Sequence, residues 1–156
     1  MLANVETPCC ELSILLVEDD ANDVLLMKRA LEKNGLHSPL HIVGDGEEAL
    51  HYLQHTGPFV DILSHPFPDV ILMDLKLPRI NGLEVLHWLH EHPECPAVPT
   101  IVFSASRIDS DVKEAYRLGA NTYFVKPANF DELLELVRLM HEYWRRAERP
   151  TVAVNC

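Results

Sequence analysis

The chain alternates between short, unbroken apolar runs and longer stretches where apolar residues recur every three or four positions. The unbroken runs are Ser13-Ile-Leu-Leu-Val17, Leu40-His-Ile-Val43, Val70-Ile-Leu-Met73, Thr100-Ile-Val-Phe-Ser104 and Thr122-Tyr-Phe-Val125. Runs of this length, bounded by turn residues, read as strands buried on both faces in a helix-covered parallel sheet. Between them the period becomes helical, at Val24, Met27 and Leu31, then Ala49, Leu50 and Leu53, then Leu83, Leu86 and Leu89. It continues at Val112, Ala115 and Leu118, and along Phe130, Leu133, Leu134, Val137, Met140 and Trp144. Start and stop signals agree. Asn22-Asp23 offers caps to the first helix and Asn34-Gly35 ends it, Asn81-Gly82 opens the third and Pro93 breaks it. Asp109 or Ser110 is the expected cap of the fourth helix, which Gly119 closes, and Asn129 that of the fifth.

Five strands alternating with five helices predict an α/β fold around a parallel sheet. The right-handed crossover rule leaves few ways to connect it. The expected one is the flavodoxin-like, doubly wound strand order 2-1-3-4-5.

Three stretches stand outside the pattern. Residues 1–11 are polar, contain Pro8 and show no period, so they read as a flexible lead into a domain spanning 12–148. Residues 149–156 carry the short β-prone segment Thr151-Val-Ala-Val154, either a frayed tail or an arm that pairs with a partner chain. Residues 56–68 hold three prolines and a glycine. That is long for a connection usually of roughly 2–6 residues, and it reads as an ordered surface excursion.

Composition narrows the partners. The formal charge of −11 argues against nucleic acid or an anionic membrane, which would select a basic face. No apolar run approaches the ~20 residues of a membrane span, and the N-terminus lacks the basic-then-apolar pattern of a secretory signal. The cysteines (Cys9, Cys10, Cys95 and Cys156) form no CxxC pair, so no disulfide framework is expected and a reducing cytoplasm is the simple inference.

The chemistry gathers at the carboxyl ends of the strands, where open α/β sheets place their sites. The first strand delivers Glu18 and Asp19, the third Asp74, the fourth Ser104 and the fifth Lys126. Pro78 forces the chain out of the sheet soon after Asp74. Several carboxylates on one edge repel each other, and a hard divalent cation such as Mg2+, content with one or two carboxylates and water, relieves that repulsion. An aspartate beside Mg2+ and a lysine is a competent nucleophile toward a phosphoryl group, with Ser104 in position to hydrogen-bond the product. Each residue alone has a plainer reading: a turn aspartate, an acidic first helical turn, a loop hydroxyl, a solvated lysine. Their joint order carries the inference.

The pattern resembles the receiver domain of bacterial two-component response regulators. The residues that carry it are Val17-Glu18-Asp19-Asp20, Met73-Asp74-Leu75-Lys76-Leu77-Pro78 with Asn81-Gly82, Phe103-Ser104-Ala105, and Tyr123-Phe124-Val125-Lys126-Pro127. The resemblance implies Asp74 as phosphoacceptor and Mg2+ on Glu18, Asp19, Asp74 and the backbone carbonyl of Lys76. It further implies a phosphate contact from Lys126 and a cis peptide before Pro127. It also implies a switch in which Ser104 moves toward the phosphoryl group and Tyr123 turns inward. Serine lacks the methyl of the commoner threonine at Ser104, which softens that coupling. A narrower resemblance is to the single-domain regulators that partner bacterial phytochrome histidine kinases, carried by the 56–68 insert, Leu77 to Gly82 and the Tyr143-Trp144 ending. That group implies a homodimer through the fourth helix, fifth strand and fifth helix, or through a C-terminal arm. Leu136, Leu139, Tyr143 and Trp144 do widen the apolar face of the last helix.

Two rivals stay open. A haloacid-dehalogenase-like phosphatase also uses a strand-end aspartate, but wants a second aspartate two residues on, where this chain has Lys76. A pseudo-receiver would keep the fold as an interaction module without taking phosphate. A zinc site among His87, His90, His92 and Cys95 is disfavoured, because Pro93 breaks the shared helix face and a polar surface explains the histidines.

Overall fold

The computed structural model describes residues 11–149. The elements in chain order are β1 (Ile14–Val17), α1 (Ala21–Lys33), β2 (Leu40–Val43), α2 (Gly46–Gln54), β3 (Val70–Met73), α3 (Gly82–Glu91), β4 (Thr100–Ser104), α4 (Asp109–Arg117), β5 (Thr122–Val125) and α5 (Phe130–Arg146). The strands form one parallel sheet in the order β2-β1-β3-β4-β5, the flavodoxin-like order expected from the alternation of patterns and the crossover rule together.

Because successive strand residues point to opposite faces, each apolar run feeds two cores. Leu15, Val17, Val43, Ile71, Met73 and Val102 pack with residues of α2, α3 and α4. Ile14, Leu16, Val70, Leu72, Ile101 and Phe103 pack with α1 and α5. Every residue of β1, β3 and β4 is buried, which places the ends of these strands in the protein's interior rather than at its rim.

The helix starts differ from expectation in two places. Asp20, not Asn22 or Asp23, caps α1, its side chain accepting the N–H groups of Asn22 and Asp23. The helix α4 begins after Ile108 with no side-chain cap, because Asp111 instead accepts the Ser106 hydroxyl at 2.5 Å while Ser106 Oγ accepts the Ile108 N–H. Asn129 caps α5 as read from the sequence, accepting the Glu132 N–H at 2.9 Å.

The 56–68 excursion is ordered, with a single 3-10 turn at Gly57–Phe59. Tyr52 of α2 donates its hydroxyl to the Pro66 carbonyl at 2.8 Å, and its ring lies 5.2 Å from Phe59 and 5.9 Å from His65. The excursion re-enters the sheet beside the start of β1, where Asp69 donates its N–H to the Ser13 carbonyl. It therefore occupies the amino edge, opposite the strand-end residues.

Cys95 is disulfide-bonded, against the expectation of no disulfide. The other three cysteines, like the Thr151–Val154 segment and most of the N-terminal lead, lie outside the described residues.

Candidate functional site

Val17 and Met73 are partners in the β1–β3 register, so the residues that follow them leave the sheet side by side. The chain then stays in register one step further, with the Asp74 N–H on the Val17 carbonyl and the Glu18 N–H on the Val43 carbonyl, both at 3.0 Å. This brings Glu18, Asp19 and Asp74 together. Each offers an oxygen, and these lie within 4.8 Å of one another, the one such metal-capable group among the described residues. Glu18 is 4% exposed and Asp74 7%, while Asp19 faces solvent.

Lys126 arrives from β5 through the Lys126 N–H to Ser104 carbonyl bond that extends the β4–β5 ladder. Its ammonium donates to Glu18 Oε2 at 2.7 Å, Asp23 Oδ2 at 2.7 Å and Asp74 Oδ2 at 3.0 Å. The three protons of an ammonium are thereby all used. Burial works against the charge on Lys126, yet the hydrogen bonds it donates to Asp23, Glu18 and Asp74 outweigh it and hold its pKa above the ordinary value. The Glu18 carboxyl is also pushed above its ordinary range, since burial outweighs the hydrogen bonds from Lys126 and the Asp20 N–H. Asp74 Oδ1 accepts the Lys76 N–H at 3.3 Å, so both oxygens of this carboxylate are engaged.

Ser104 is fully buried. Its hydroxyl accepts the Ser106 N–H at 3.2 Å, while the Tyr123 hydroxyl donates to the Ser106 carbonyl at 2.9 Å. Both ends of one residue are thus held by the two side chains expected to switch. The ring of Tyr123 is half-buried against the core, already directed inward.

Gly82 explains why Asn81-Gly82 belongs to the motif. A Cβ there would collide with the carbonyl oxygen of Asp74, so only glycine lets α3 start against the aspartate's backbone. Asn81 and Glu84 close a capping box above it.

One expectation fails outright. No peptide bond among the described residues is cis, so Lys126–Pro127 is trans. Trans is the favoured isomer even before proline, by about 0.5–1 kcal/mol, and with it the ammonium already reaches the carboxylates. The histidines near α3 form no metal cluster: His87 pairs with Glu91, and His92 stacks on Trp88 at 4.0 Å. Asp23 is the residue that sequence reasoning missed. Read locally it is a helix cap, and only its bond to the Lys126 ammonium places it in the pocket.

A sequence profile described as "Response regulator receiver domain" matches residues 14–138. The chain belongs to the response regulator receiver domains.

The receiver is 34% identical over 131 residues to response regulator Rcp1 of Synechocystis sp., covering 84% of this chain and 87% of Rcp1. Among solved structures, response regulator RPA3017 in red light signalling of R. palustris superposes with a TM-score of 0.85 at 31% identity, over 90% of this chain and 99% of that one. The phosphorylated cyanobacterial phytochrome response regulator RcpA gives a TM-score of 0.82 at 34% identity, with the same coverages of 90% and 99%. Rcp1 has been solved in an Mn2+-bound form. The receiver is thus homologous to phytochrome response regulators and has the phosphoacceptor function of two-component signalling, whose counterpart is a sensor histidine kinase. Domains of this type bind Mg2+ or Mn2+ at an acidic pocket and act as signalling phosphoacceptors, generally not as enzymes. No described helix is long and apolar enough to cross a membrane.

Proposed function

We propose that Asp74 accepts a phosphoryl group from a sensor histidine kinase, with Mg2+ held by Glu18, Asp19, Asp74 and the backbone carbonyl of Lys76. The observation that carries this is the juxtaposition of three carboxylates from two adjacent strand ends, two of which, Glu18 and Asp74, are bridged by one partly buried ammonium. The donor set fits the ion: all oxygen, two of three carboxylates buried, and a cation already required to offset their repulsion. Mg2+, when bound, offsets charge on the transferring phosphoryl oxygens.

The chain's own residues do the rest. A carboxylate oxygen of Asp74 bonds to phosphorus as the bond to the kinase's histidine nitrogen breaks, and the imidazole keeps that electron pair and takes up a proton. Lys126 contacts Asp74 and stays beside the incoming oxygens, where a fixed cation contributes most in a partly buried site. The Ser104 hydroxyl keeps its proton to donate to a phosphoryl oxygen. Any shift of Ser104 pulls on Ser106, and Ser106 carries the Tyr123 hydroxyl. That gives the modified aspartate a route to the surface of α4, β5 and α5.

The kinase we propose is of the phytochrome type, supported by the relatives RcpA and RPA3017. We place the protein in the cytoplasm with it, as a unit spanning 12–148 that switches protein contacts. The surface available for a homodimer is the α5 side. There Leu139 and Tyr143 are 51% and 66% exposed and flank a groove of about 610 Å3 with Phe124 and Trp144, whereas Leu136 and Trp144 are partly absorbed into the core. Replacing Tyr143 by Arg or deleting residues 150–156 would lower the sedimentation coefficient if this face or the tail joins two copies.

The deciding experiment is labelling with acetyl phosphate and Mg2+. An acid-labile, hydroxylamine-sensitive label that disappears in Asp74→Asn is expected. A label retained in Asp74→Asn moves the site, and a wild-type chain that never labels is a pseudo-receiver.

A further inference from the structure

The pocket contains a carboxylate that none of the roles above uses. Asp23 lies in the first turn of α1, and because Asp20 supplies the cap, the Asp23 side chain is released toward Lys126. Its 2.7 Å bond to the ammonium equals that of Glu18 and is shorter than the 3.0 Å bond of Asp74. Asp23 differs from both in place. It is outside the group of oxygens that can share a metal, and its side chain is 36% exposed against 3% for Glu18 and 8% for Asp74.

Two cations therefore compete for the same oxygens. The ammonium occupies Glu18 Oε2 and Asp74 Oδ2, two of the three carboxylates that a divalent ion would take. An ammonium expelled from a buried pair with no other acceptor bears a heavy desolvation cost. Asp23 supplies that acceptor within the same bonding sphere. Lys126 can give up Glu18, stay tethered, and remain over Asp74.

We propose that Asp23 is a positioning residue: it holds the Lys126 ammonium in the pocket while a divalent cation occupies Glu18, Asp19 and Asp74. This rests on the reading of the pocket as a Mg2+ site. It makes the metal and the lysine compatible occupants, where three carboxylates alone would set them against each other.

The test is a double-substitution cycle on Mg2+ affinity by titration calorimetry, using the full chain. Asp23→Asn is expected to weaken Mg2+ binding about tenfold, and Asp23→Glu to restore it to within about threefold. In a Lys126→Met background the Asp23→Asn change is expected to fall below about twofold, since the ammonium it serves is gone. Equal weakening in both backgrounds shows Asp23 to be only one more negative charge, and no weakening in either shows it idle; both overturn the proposal while leaving the Mg2+ reading intact. A wild-type chain that binds no Mg2+ overturns that reading, and the proposal with it. A second readout needs no Lys126 variant and so stands even if Lys126→Met does not fold. The 15N-labelled Lys126 ammonium signal should stay protected from exchange in Mg2+-loaded wild type and lose protection in Mg2+-loaded Asp23→Asn. Equal protection in the two overturns the positioning role.

Discussion

At the carboxyl edge of the sheet, Glu18, Asp74 and Asp23 crowd around one ammonium, and Asp19 adds a further negative charge at the rim. At the amino edge, the excursion between α2 and β3 is gathered by rings, with Tyr52 touching His41, His55, Phe59 and His65. Each edge has a buried centre, Tyr52 at one and Glu18 with Asp74 at the other, and both contain polar groups, but they are satisfied differently. The ring cluster is complete in itself apart from His41 Nε2 and His65 Nδ1, which lack partners. The acidic pocket carries an excess of one sign that its own lysine offsets only in part. Apolar contact holds a structural edge without help, whereas an unbalanced charge cluster stays responsive to a cation and to phosphate.

The sharpest way to break this contrast is to damage each edge and ask whether Mg2+ repairs it. Tyr52→Ala removes a fully buried ring and should cost about 3–5 kcal/mol by urea unfolding, equally with and without Mg2+. Lys126→Met leaves the carboxylates uncompensated and should cost about 3 kcal/mol without metal, with most of it recovered in Mg2+. Recovery in the first variant, or none in the second, would erase the distinction. Tyr52→Phe isolates one bond: the partly buried Pro66 carbonyl loses its donor, for about 1 kcal/mol.

Acid should act on the two edges in opposite senses. Burial holds the Glu18 pKa above its ordinary 4.5, so the metal-free protein has this contribution in full below 4.5 and loses it as pH rises through the raised value. Mg2+ needs the ionised form, so its affinity by calorimetry should fall on acidification before ordinary carboxylates titrate. Burial, then the charge on His65, lowers the pKa of His41 below 6.5. That contribution is whole above 6.5 and is lost as pH falls through the lowered value, the smallest of these effects. A His41→Phe variant should show a flatter stability profile below pH 6.5 than wild type, and an unchanged slope would clear His41 of the role.

Much of this was legible before any coordinates. Val70 to Met73 and Ile14 to Val17 are apolar without interruption because both faces of a central parallel strand are covered, so the strands, and hence the strand ends Glu18, Asp19, Asp74 and Lys126, could be read directly. Serial order along a βα repeat then implied that they meet. Local readings were weaker. Asp23 looked like a cap because capping chemistry and pocket chemistry both use a carboxylate in the first turn of a helix. The fourth helix seemed to need Asp109 or Ser110, but a hydrogen bond between Ser106 and Asp111 replaced a side-chain cap. The cis bond expected before Pro127 came from resemblance alone, and the disulfide at Cys95 follows from no spacing in the chain.

Hydrophobic period by itself determined the strands, the helices and the layers they form, because burial of a strand or helix face is a local property summed along the chain. The crossover rule then added the expected strand order and the edge on which the chemistry sits. Tertiary structure alone decided which carboxylates share the Lys126 ammonium, and that Tyr123 and Ser104 hold opposite ends of Ser106. Hydrogen bonds have a reach of about 3 Å, and residues more than a hundred positions apart enter that range only once the sheet has assembled.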